Sequence, residues 1–247
     1  MKLRVLGKYS PFPGPGGACP GYWVHTDAAG VLLECGPGVL SRFQQYEQLG
    51  AIEVVILSHL HADHMSDFLS LRYATESSLR HPALPGHLTV YAPEQPPEVR
   101  DALRFKDRVT VETLSPERDI RVGDLTITFF KVEHPFECYA VRVDDGKSVL
   151  AYSGDTRPCD SLVHAAGNAG LFLCEASCLE RDASFAATGH LTTTQAAEIA
   201  RQAGVGKLLL THIWPFYSEN ELLSETRRIF AEADIAAEGM EYEVGPA

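Results

Sequence analysis

Short apolar runs closed by Gly, Pro or polar residues recur along the whole chain. They fall at 3–6, 22–26, 31–35, 54–57, 88–92, 109–114, 171–174 and 207–211, and they predict buried strands. Residues 125–132 alternate instead, as a half-buried strand does. The runs 139–143 and 148–152 flank Asp144-Asp145-Gly146, a hairpin signature. A last strand is predicted near Tyr242. Between these runs the apolar positions take helical spacing at 39–49, 66–78, 97–105, 161–166, 192–203 and 219–231. Thr192 suits a helix N-cap and Gly204 a helix stop. The pattern predicts one layered α/β domain over residues 1–247, with two strand-rich halves that divide near residue 110.

The strands end in unusual company. Ser58 and the run before it lead into His59-Leu60-His61-Ala62-Asp63-His64, and His134, Asp155, Glu175 and His212 each follow a later apolar run. Three imidazoles and a carboxylate within six residues make poor core material, because each polar tip needs a partner once it leaves water. A divalent cation supplies that partner. Imidazole and carboxylate donors without thiolate suit an open, catalytic site of zinc, iron or manganese rather than a closed structural zinc site. The stretch Pro11-Phe12-Pro13-Gly14-Pro15-Gly16-Gly17 can hold neither helix nor central strand. It is a connection or the rim of a site, and it lacks the Gly-Lys-Ser/Thr of a phosphate-binding loop.

Composition narrows the classes further. With 33 acidic against 21 basic residues the net charge is -12, which disfavours broad attraction to nucleic acid or anionic lipid. No run reaches the length of a membrane helix, and Met1–Leu6 meets Gly, Ser and Pro too soon for a secretory signal, so a cytoplasmic location is expected. Six scattered cysteines without Cys-x-x-Cys spacing read as free, mostly buried thiols.

The His-x-His-x-Asp-His segment, followed in order by His134, Asp155 and His212, resembles the metallo-β-lactamase superfamily over nearly the whole chain. That resemblance implies a four-layer αβ/βα sandwich with two metal ions at one edge. Carried over by position, His59, His61 and His134 would bind the first ion, Asp63, His64 and His212 the second, and Asp155 would bridge them. Zinc is the default, with manganese or iron as alternatives. Two cations about 3.5–4 Å apart acidify a shared water and clamp the oxygens of the displaced centre. Attack by the resulting hydroxide is the chemistry implied.

Leu173-Cys174-Glu175-Ala176-Ser177 and Gly189-His190-Leu191-Thr192 look like the ribonuclease Z-like phosphodiesterase branch. There a glutamate orients a histidine, so Asp63, Glu175 and His190 form the expected catalytic set, with His190 as general acid to the leaving oxygen. Cys174 departs from the branch, which has a histidine there. So does the spacing of 21 positions from His134 to Asp155, too short for a basic tRNA-holding arm. The expectation is a phosphodiesterase acting on a small or medium phosphodiester, such as a cyclic nucleotide, a short oligonucleotide or a metabolite diester. Its rivals are a lactone, thioester or β-lactam acyl hydrolase, a tRNA 3′-processing endonuclease, and a non-catalytic metal-binding partner protein. A diiron redox role would need a partner domain for which the chain has no room. Whether Phe216-Tyr217 and the Gly-rich loop lie at a homodimer interface is left open.

Overall fold

The computed structural model describes residues 1–246. Six strands form in the first half: β1 (Lys2–Gly7), β2 (Gly21–His25), β3 (Gly30–Leu33), β4 (Val54–Ile56), β5 (Leu88–Ala92) and β6 (Val109–Thr113). The second half supplies β7 (Ile120–Val122), β8 (Leu125–Lys131), β9 (Tyr139–Asp144), β10 (Val149–Tyr152), β11 (Leu171–Glu175), β12 (Leu208–Thr211) and β13 (Ala233–Ile235), and β14 (Glu241–Glu243) closes the chain. Helices are α1 (Val39–Phe43), α2 (Ala62–Met65), α3 (Phe68–Ser77), α4 (Pro97–Ala102), α5 (Asp160–Ala166), α6 (Ala183–Ala186), α7 (Thr193–Ala203) and α8 (Glu219–Arg227).

Two seven-stranded sheets result, ordered β14-β1-β2-β3-β4-β5-β6 and β13-β12-β11-β10-β9-β8-β7. In each, antiparallel neighbours give way to parallel ones: from β3 to β6 in the first sheet, and from β10 to β13 in the second. The parallel stretches are joined through helices, as parallel pairing requires.

The period of two along each strand builds the layers. Leu3, Val5, Tyr22, Val24, Val31 and Leu33 face Leu150, Tyr152, Leu171, Leu173 and Leu209 in a core between the sheets. The alternate residues Leu6, Trp23, Leu32 and Val55 pack outward on Val39 and Phe43 of α1 and Phe68 and Leu71 of α3. On the other side Ala151, Phe172, Cys174, Leu208 and Leu210 meet Leu162 of α5 and Ala196, Ile199 and Ala200 of α7. Burial on both faces is why these strands read as continuous apolar runs. The order helix, sheet, sheet, helix is the expected αβ/βα sandwich.

Several elements differ from expectation. The helix predicted over 39–49 ends at Phe43, and Tyr46 beyond it lies under the Arg4 guanidinium, 4.2 Å from its ring centroid. The helix predicted over 219–231 stops at Arg227. The helix predicted over 97–105 ends at Ala102. β7 and β13, three residues each, carry too little pattern to be read. Thr192 and Gly204 do cap α7: the Thr192 hydroxyl accepts from the Gln195 N–H, and Gly204 sits at φ 66°. No helix among the described residues is long and apolar enough to cross a membrane.

Candidate metal centre

His59, Asp155 and His212 follow the carboxyl ends of β4, β10 and β12, Glu175 ends β11, and His134 follows β8. Both sheets therefore deliver side chains to one edge, where strand ends of layered α/β folds place their sites. After His59 and His61 the chain makes a single helical turn, α2, that carries Asp63 and His64 inward. The expected helix began beyond this turn, at residue 66. Gly36 lets the turn seat: a Cβ there would collide with the Asp63 carbonyl oxygen, while Cys35 N–H donates to the His64 carbonyl at 2.7 Å.

The structure brings together all seven residues expected to bind metal. Potential ligand atoms of His59, His61, His134 and Asp155 lie within 4.8 Å of one another, and so do those of Asp63, His64 and His212. The Asp155 Oδ2 stands between the groups, 3.5 Å from His59 Nε2, 3.5 Å from His64 Nε2 and 3.1 Å from His212 Nε2. His59 Nε2 is 3.0 Å from His61 Nδ1, and His64 Nε2 is 3.2 Å from His212 Nε2. Facing ring nitrogens at such spacing need a shared proton or a shared cation. A tetrahedral site with metal bonds of about 2.0 Å has ligand edges of about 3.3 Å, which these separations match. The Asp155 Oδ1 is buried without a hydrogen-bond partner, a second sign that this carboxylate is built to meet a cation.

Charge divides the cluster. Burial holds His59 well below the ordinary imidazole range and His134 down to about 4, and it lowers His61, so these rings keep free lone pairs. Burial also works against protonation of His212, yet Asp155 and then Asp63 outweigh it and raise that ring to about 10. His64 is likewise raised, burial being outweighed by Asp155, Asp63 and Glu34. Cation binding at the second group therefore displaces protons.

Around the ligands lies a set of polar supports. Glu175, fully buried, accepts from the Thr156 N–H at 2.7 Å, the Leu191 N–H at 3.2 Å and the Ser177 hydroxyl at 2.8 Å. Its Oε1 is 3.3 Å from His190 Nδ1. With its proton on Glu175, the Ser177 oxygen accepts from His212 Nδ1 at 2.8 Å, which leaves Nε2 of His212 to face the cluster. His190 lies 3.9 Å from Asp155 Oδ2, and only part of its ring is exposed. Burial lowers its basicity, but Glu175, by charge and hydrogen bond, and then Asp155 more than offset this and raise it. Cys174 points the other way, into the apolar layer under α7, where burial pushes its thiol up.

Three supports were not singled out from the sequence. Glu34, fully buried at φ 59°, accepts from the Ser58 N–H at 3.2 Å and sets Oε1 3.5 Å from His64 Nδ1. Ser10 donates its hydroxyl to Asp63 Oδ2 at 2.8 Å. Ser177 is the third. A charged residue closing the apolar strand before Gly36-Pro37-Gly38 was the available signal for Glu34; the two serines left none. His212 is itself at φ 56°, and such strained non-glycine backbone is typical of functional sites.

The chain belongs to the β-lactamase superfamily: a family model described as beta-lactamase superfamily domain matches residues 30–213, which take in every candidate ligand from His59 to His212. It is 32% identical over 244 residues to the probable metallo-hydrolase YhfI of Bacillus subtilis (strain 168), covering 98% of this chain and 100% of that protein. The YhfI crystal structure matches with a TM-score of 0.92 over 98% of each chain. The short form of human tRNase Z (TM-score 0.78, 99% of each chain) and a diphosphatase of the PhnP family (0.79, 100% of this chain and 98% of that one) are each 18% identical and share the fold.

Proposed function

We propose that this protein is a metal-dependent phosphodiesterase of small or medium substrates. His59, His61 and His134 would hold one cation and Asp63, His64 and His212 a second, with Asp155 shared between the two groups. Zinc is the first candidate, and the His/Asp donors suit manganese and iron as well. When bound, such a pair supplies water activation and charge neutralisation at the phosphoryl oxygens. The chain supplies the rest. Ser177 holds the His212 ring by its outer nitrogen, Glu34 places a carboxylate 3.5 Å from the outer nitrogen of His64, and Ser10 holds Asp63. Glu175 aims His190 and favours its protonated form, so that His190 can give a proton to the leaving oxygen.

The observation that carries this reading is an imidazole, His190, whose Nδ1 lies 3.3 Å from the buried Glu175 carboxylate, beside the ligand cluster. An alkoxide leaving from phosphorus needs a proton. The hairpin of β9 and β10 fills the stretch from His134 to Asp155, where a tRNA-holding arm would have to emerge, so a small diester is favoured. The six free cysteines fit the reducing cytoplasm. A side-by-side assay of bis(p-nitrophenyl) phosphate, a lactone and a thioester with the metal-loaded protein tests the substrate class. The diester is expected to show the highest kcat/KM; a lactone or thioester turned over faster would assign the site to acyl transfer.

A further inference from the structure

Three large aromatic rings, none of them fully buried, lie a few residues along the chain from Ser10 and His212. Phe12 is 42% exposed, Phe216 is 77% exposed and Trp214 is half-buried. They form one cluster, with centroids 5.4 Å apart for Phe12 and Trp214, 6.1 Å for Phe12 and Phe216, and 5.7 Å for Trp214 and Phe216. Leaving this much apolar surface in water is unfavourable and marks a binding surface.

The backbone shows what the cluster serves. Residues 8–10 run beside Ile213: Ile213 N–H donates to the Lys8 carbonyl at 2.8 Å, and Ser10 N–H donates to the Ile213 carbonyl at 3.1 Å. At their roots both segments touch the cluster of ligands, one through the Ser10 hydroxyl on Asp63 and the other through His212. Phe12 and Trp214 each follow two residues later. At roughly 3.3–3.6 Å per residue their backbone starts within about 7 Å of those roots. An ester arm leaving a phosphoryl group at the metals therefore comes within reach of the rings. Phe12 meets Trp214 edge-on at 68°, and the exposed surface of Phe12 and Phe216 is where a further flat group can pack.

We propose that Phe12, Trp214 and Phe216 form a stacking platform for a nucleobase carried on one ester arm of the substrate, whose phosphoryl group sits at the metal centre. This rests on the phosphodiesterase reading and names the substrate as a nucleoside phosphodiester. Stacking on ring faces is open to every base, so the rings select a flat ring over an alkyl arm with little choice among bases.

Two measurements test it. Thymidine 5′-p-nitrophenyl phosphate and methyl p-nitrophenyl phosphate share a leaving group and differ in the other arm. The ratio of their kcat/KM values is expected to fall about tenfold in Trp214→Ala, through a higher KM for the thymidine diester. An unmoved ratio overturns the platform. The second readout needs no turnover. The chain has two tryptophans, and Trp23 is 5% exposed, so quenching by added nucleotide reports on Trp214. In the zinc-loaded protein, thymidine 5′-monophosphate is expected to quench saturably and ribose 5-phosphate is not. Phe12→Ala and Phe216→Ala, which keep the indole, should weaken that binding about tenfold. Unchanged affinity overturns the proposal, and if these variants also turn a dimer into a monomer, the face belongs between copies of the chain. Should neither diester be cleaved by the wild type, the phosphodiesterase reading fails, and the nucleotide titration still decides the platform.

Discussion

Glu175 sits at the end of β11 with both carboxylate oxygens engaged, tying His190 directly and His212 through Ser177 to one buried charge. The proposed general acid and a candidate metal ligand are thus positioned by a single residue. If His190 protonates the leaving oxygen, His190→Ala should slow a dialkyl diester by about 10²–10⁴-fold and a p-nitrophenyl ester far less, since p-nitrophenolate leaves without a proton. Equal losses on both would mark His190 as structural. The sign of the pH effect follows from the same contacts. His190 is raised above the ordinary imidazole value, so its acid form persists as pH rises, and dialkyl turnover falls only through the raised value. Glu175→Gln removes the largest favourable contribution and should move that basic limb to lower pH. At this scale the sequence was readable where polar residues were dense, as in His59 to His64. It was silent on Ser10 and Ser177, because a single serine in a loop is an ordinary residue until the fold sets it against Asp63 or His212.

At the scale of elements, continuous apolar runs located most of the strands, since burial on both faces leaves no room for polar residues. The elements that escaped are short: β7 and β13 show no period, α6 is a single turn in a stretch read as loop, and α2 is one turn half made of candidate ligands, so its residues advertise chemistry rather than helix. That turn depends on Gly36, whose missing side chain admits the Asp63 carbonyl. Gly36→Ala should push α2 outward, costing about 1–3 kcal/mol by overpacking. Because α2 carries Asp63 and His64 but not His59, His61 or His134, metal analysis is expected to show loss of one equivalent with the other retained. Retention of both equivalents would mean that α2 is not tightly seated.

Across the whole molecule, the near-repeat of meander followed by parallel strands divides the chain after β6, close to the residue 110 boundary read from the sequence; β14 alone crosses back to the first sheet. The centre needs both halves: His59 to His64 come from the first, and His134, Asp155 and His212 from the second. Their convergence could be suspected from polar residues following apolar runs, but the pairing of strand ends across two sheets is a tertiary fact that no local pattern contains. Asp155 joins the two ligand groups, so it bears most directly on the central proposal. The decisive measurement is turnover of bis(p-nitrophenyl) phosphate by the metal-loaded protein beside His59→Ala and Asp155→Ala. A metal-dependent phosphodiesterase built on this cluster should lose activity by about 10²–10³-fold or more in each variant, whereas unchanged turnover in both would contradict it.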